Sequence, residues 1–176
     1  LARAHVIAVD GPAQAIQPAI DRAAHGDTVL VSPGRYHERL DFHGKGITVA
    51  GWFLTQGDTA LVGRTVVDAD SAGPVISFVS GEDSTAALVG LTLTGGRAPR
   101  GDGVLCVDAS PVLRQVHIVG NRAVVNPLPP SNGMPVTVGT LWYDTTGAGG
   151  GLCALRGGPR LEDVTLERNQ AYSGAG

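Results

Sequence analysis

Apolar positions along the chain change period once. Between Ala13 and Ala24 they recur at helical spacing, with Ile16, Ala19, Ile20, Ala23 and Ala24 on one face. This spacing predicts a helix over 13–25. Pro18 must sit in its first turn, where a missing N–H is tolerated, and Gly26 supplies the stop. Beyond Gly26 the period falls to two. Thr28–Val31, Ile47–Val49, Thr65–Val67, Val75–Val79 and Leu88–Leu93 read as short strands closed by Gly, Asp or Ser. Val104–Val107, Val116–Ile118, Leu152–Leu155 and Val164–Leu166 continue the series. One helix followed by many short strands predicts an all-β body.

The later strands repeat. Residues 103–123 align without a gap on 151–171, so that Pro111, Leu113, Val116, Ile118 and Asn121 meet Pro159, Leu161, Val164, Leu166 and Asn169. A partial copy at Leu91–Gly96 precedes Val116 by one unit of about 25 residues. The second interval is then one unit plus an inserted loop over 124–148. A unit this small cannot close a core alone, but stacked units bury a continuous apolar column. Strands of successive units then lie parallel, about 4.8 Å apart. The expectation is a single domain over 1–176, a parallel β-helix with coils of ~25 residues.

Composition explains the corners and narrows the partners. The 26 glycines suit sharp turns that recur in every coil. Net charge is −3, Lys45 is the one lysine, and the arginines are scattered, so no basic stripe awaits nucleic acid. No run of about 18 apolar residues could span a membrane. The chain starts at Leu1 without a signal segment, as expected of a mature or excised piece. Residues 171–176 read as the lead-in to another unit, so the C-terminal coil is expected to be truncated or uncapped. Either more chain or a partner chain would cover its edge.

Two stretches carry a resemblance. Ala15–Glu38, with its Gly-Asp-Thr-Val-x-Val-x-Pro-Gly-x-Tyr-x-Glu string, and Gly44–Gly51 resemble the entry segment of right-handed parallel β-helix proteins of the pectin-lyase-like superfamily. In those proteins the helix caps the N-terminal end of the coil. The repeats resemble bacterial surface units written GGGIYC…SPTL…VTISGN. The resemblance implies a fold more than an activity. The superfamily includes polysaccharide lyases, with calcium-binding carboxylates and an Arg or Lys base, besides esterases, glycoside hydrolases and proteins without known activity.

Candidate chemistry is sparse. Asp68 and Asp70 are the nearest carboxylate pair, placed at i, i+2 on one strand face, where a polar strand exit is the simpler reading. The string Gly34–Glu38 is expected to be structural. His5, His25, His37, His43 and His117 show no metal-binding spacing, and His117 should point away from the core. Arg97, Arg100 and Asp102 share one turn that could touch an acidic sugar or simply form a solvated corner. The repeat sets Cys153 against Leu105, not Cys106, which argues against a disulfide. Trp142, Tyr143 and Asp144 in the inserted loop are the candidate glycan contacts, because loops on one face of a solenoid often bind.

These observations lead to an expected non-catalytic, secreted or cell-surface bacterial scaffold, or a module binding a polysaccharide or another surface protein. The competing class is a polysaccharide lyase or glycoside hydrolase. No catalytic residue or cofactor is assigned, and calcium enters only under the lyase alternative.

Overall fold

In the computed structural model, residues 4–99, 101–123 and 149–171 are described. The chain opens with β1 (Val6–Val9) and α1 (Ile16–Arg22). Strands then arrive in triplets. The first is β2 (Thr28–Val31), β3 (Gly34–His37) and β4 (Leu40–Asp41). The second is β5 (Thr48–Gly51), β6 (Thr65–Asp68) and β7 (Ile76–Phe78), with α2 (Phe53–Gln56) and a 3₁₀ turn (Thr59–Arg64) between its first two strands. The third is β8 (Ala87–Val89), β9 (Thr92–Thr94) and β10 (Val104–Val107). The fourth is β11 (Val112–Arg114), β12 (His117–Val119) and β13 (Leu152–Leu155), and β14 (Arg160–Glu162) and β15 (Thr165–Glu167) follow.

Each triplet gives one strand to each of three sheets, and every pairing is parallel. The sheets run β1-β2-β5-β8-β11-β14, β3-β6-β9-β12-β15 and β4-β7-β10-β13. The described chain is thus predominantly β, with the strand order of a parallel solenoid. Register follows the sequence alignment where the two can be compared: Leu113 pairs with Leu161 and Ile118 with Leu166. The offset between paired residues is 25 from β8 to β11, but 39 from β5 to β8 and 20 from β2 to β5.

Alternation within these short strands sends Val29, Val31, Val49, Leu88, Leu113, Phe78, Val104 and Ile118 into one core. Ile16, Ala19 and Ile20 of α1 join the same cluster. The helix is shorter than 13–25 because Ala15 and Ala23 are both extended, and the Asp27 carboxylate draws the Ala24 N–H out of the helix at 2.9 Å. At seven residues α1 cannot persist alone, and two motif residues hold it. Glu38 accepts from the Ile16 and Gln17 N–H groups at 2.7 and 3.0 Å. Lys45 Nζ donates to the Ile20 and Asp21 carbonyls at 2.9 and 2.7 Å.

The predicted strand Leu88–Leu93 is in fact two. Gly90 turns the chain at φ +67° and Leu91 drops into the core, so β8 and β9 belong to different sheets. Gln115–Val116 and Asp163–Val164 make the same two-residue corner, with φ of +50° and +52° at their first positions. The connections from the five-stranded to the four-stranded sheet lengthen along the stack, from 38–39 through 69–75 and 95–103 to 120–151. Inside that edge lies an asparagine ladder. Buried Asn121 accepts from the Gly96 N–H at 2.8 Å and donates through Nδ2 to Asn169 Oδ1 at 3.0 Å, while Asn169 Nδ2 donates to the Ile118 carbonyl at 2.8 Å.

Candidate functional site

Among the described residues, three side chains that could hold a metal ion come together where β3 meets β6. Alternation in Gly34-Arg-Tyr-His buries Tyr36, whose Oη donates to the Ser32 carbonyl at 2.8 Å, and leaves Arg35 and His37 on the outer face. Parallel register sets Arg35 beside Val66 and His37 beside Asp68. The chain then turns sharply. Asp68 Oδ1 accepts from the Asp70 N–H at 3.0 Å, and Asp70 and Ser71 take φ of +49° and +61°. That turn folds the Asp70 carboxylate back over His37, with both oxygens 2.9 Å from Nδ1. Arg35 Nη1 closes the group by pairing with Asp68 Oδ2.

One donor atom each from His37, Asp68 and Asp70 lies within 4.8 Å of the other two. Asp68 is the held member, with 16 % of its side chain exposed, against 55 % for His37 and 58 % for Asp70. Gly95, in the next triplet, lies directly against Asp68 Oδ1, where a Cβ would collide with it. The set does not fit calcium, which takes six to eight oxygen ligands. Here only three side-chain donors converge, and one of them is an imidazole nitrogen.

Asp68 and Asp70 were legible as a pair, but they do not share a strand face: Asp70 lies beyond the end of β6 in the turn. Their partners Arg35 and His37 were missed. The offset from His37 to Asp68 is 31, not 25, because α2 and the 3₁₀ turn intervene. The signal that could have found them is the outward position of Arg35 and His37 within β3.

The other candidates separate. Arg97 is exposed, whereas Asp102 is fully buried, so the two do not form a solvated corner. Asp102 Oδ1 accepts from the Ala98 N–H, and Oδ2 has no partner. Burial pushes this carboxyl up to about 6. Arg100, Trp142, Tyr143 and Asp144 lie outside the described residues. Cys106 and Cys153 are both buried and form no disulfide with each other. Burial, with smaller contributions from Glu82 and Cys153, pushes the Cys106 thiol up to about 12, which leaves it unreactive. His117 is half-buried at an outward position between Thr92 and Thr165.

No protein-family model matches the chain, and comparison with curated proteins and with solved structures gave no match. Among the described residues no helix is long and apolar enough to cross a membrane.

Proposed function

We propose that the chain is a non-catalytic segment of a secreted or cell-surface β-helix protein of the pectin-lyase-like type, serving as a scaffold or as a module that binds a glycan or another surface protein. In this reading the coil is right-handed, as parallel crossovers overwhelmingly are, its unit is ~25 residues, and α1 caps its N-terminal end. One observation carries it: three outward carboxylates, Asp68, Asp70 and Asp108, are each paired with a basic side chain on the neighbouring triplet. Arg35 pairs with Asp68 and His37 with Asp70. Arg156 grips Asp108 with both Nε and Nη2, at 2.8 and 2.7 Å. Charges spent in tying one layer to the next suit a rigid support. A groove of about 430 Å³ over the six-stranded sheet, lined by Thr28, Thr48, Leu54, Val89, Arg114 and Glu162, offers mixed hydroxyl and apolar contacts for a sugar chain.

A second reading is a polysaccharide lyase or hydrolase. It is favoured by the collection of an arginine, an imidazole and two carboxylates on one exposed face. A glycan-array screen run beside reducing-end and unsaturated-product assays on acidic polysaccharides separates the two. The scaffold reading expects binding without product. Product that survives purification and disappears in Asp68→Asn or Asp70→Asn would overturn it.

A further inference from the structure

We infer that His37, Asp68 and Asp70 form a surface site for a divalent transition ion of the zinc type, independently of whether the chain binds glycans. The donor set is mixed, one imidazole nitrogen and two carboxylate oxygens, which is the chemistry of zinc and its neighbours rather than of calcium or magnesium. The donors come from two neighbouring strands and the turn that follows. His37 and Asp68 are register partners in the β3–β6 ladder, and the turn after β6 is pinned by the Ser71 N–H donating to the Gly95 carbonyl at 2.7 Å.

Donor atoms within 4.8 Å of one another lie close enough for small side-chain movements to bring them onto one ion at about 2.0–2.2 Å. Arg35, paired with Asp68 Oδ2, holds that carboxylate in place as an outer partner. The exposed sides of His37 and Asp70 leave room for water or an incoming ligand to complete the coordination.

The contrast with His43 makes the site specific. His43 also lies between two aspartates, but its Nε2 faces Asp21 at 3.6 Å and its Nδ1 faces Asp41 at 3.3 Å. The two carboxylates address opposite ring nitrogens, so no single ion can take both together with that ring. At His37 one ring nitrogen and one carboxylate oxygen from each of Asp68 and Asp70 lie within 4.8 Å of one another.

The test is a calorimetric titration of the untagged chain with zinc chloride and, separately, calcium chloride. Cobalt(II) is then added while the histidine ring resonances are followed by NMR. One equivalent of zinc is expected to bind, and the His37 ring is expected to be the one perturbed by cobalt. His37→Ala and Asp70→Asn are each expected to weaken zinc binding at least about tenfold, and His43→Ala to leave it unchanged. His37→Gln keeps a neutral polar side chain on the strand, and a circular dichroism spectrum matching the parent shows that loss of zinc is not loss of fold. The inference is overturned by any of three results: no stoichiometric zinc uptake, uptake unaffected in both His37 variants, or calcium bound as tightly as zinc.

Discussion

Asp102 shows what a single residue costs when the chain has no partner for it. Its Oδ2 is buried and unpaired, and the carboxyl titrates near 6 rather than at its ordinary 3.8. A folded-state value above the unfolded one means that the native state holds the proton more tightly. The stability this contributes is complete below about 4 and is lost as pH rises through about 6. Asp27, Asp83 and Asp108 have the opposite sign. Hydrogen bonds from Ala24 and His5, from Thr85, and from Arg156 lower their values, so what they contribute is lost only as pH falls below that window. Urea midpoints should therefore decline between pH 4 and 6.5, and Asp102→Asn should flatten that slope. An equal slope in both proteins would refute the assignment. The corner glycines show the same dependence on neighbours. Gln115, Asp163 and Arg168 adopt positive φ without being glycine. Backbone angle alone does not demand glycine there, whereas at Gly95 the packed Asp68 carboxylate does.

Among the elements, α1 depends most on groups outside itself. Its first two N–H donors are met by Glu38 and its last carbonyls by Lys45, so Glu38→Ala strands donors at the positive end of the helix dipole. A loss of about 1–2 kcal/mol in urea unfolding is expected. Faster hydrogen exchange at Ile16 and Gln17 than elsewhere in the core should accompany it. Lys45→Gln should leave those two amides protected. The helix and most strands were legible because buried apolar positions at period 3.6 or 2 survive in the sequence wherever a face is buried. The split of 88–93 was not legible: a run of Leu, Val and Thr looks the same whether it crosses one sheet or turns a corner. The His37 and Arg35 partners were hidden for a different reason. Register across an insertion is set by packing in three dimensions, and only stretches with no insertion inside them, such as 103–123 and 151–171, kept a constant offset that alignment can find.

For the molecule as a whole, extra length is taken up in the connections between sheets, before β6 and before β13. The offset from β11 to β14 is 48 where that from β8 to β11 is 25, yet both pairs keep their ladder. Deleting 23 residues from within 124–148 should therefore leave a folded protein, with a melting temperature within a few degrees of the parent. Aggregation or loss of the β spectrum on deletion would mean that the segment is part of the support. The parallel ladder has a mechanical consequence as well. Hydrogen bonds between triplets point along the stacking direction, so tension between Val6 and Glu167 passes through the layers in series and parts them one at a time instead of shearing all together. Successive releases then free unequal lengths of chain, because the paired strands are 48, 25, 39, 20 and 22 residues apart in order from the C-terminal end. At about 3.5 Å per extended residue these correspond to roughly 170, 90, 135, 70 and 75 Å. Under load the protein would pay out like a ratchet with uneven teeth.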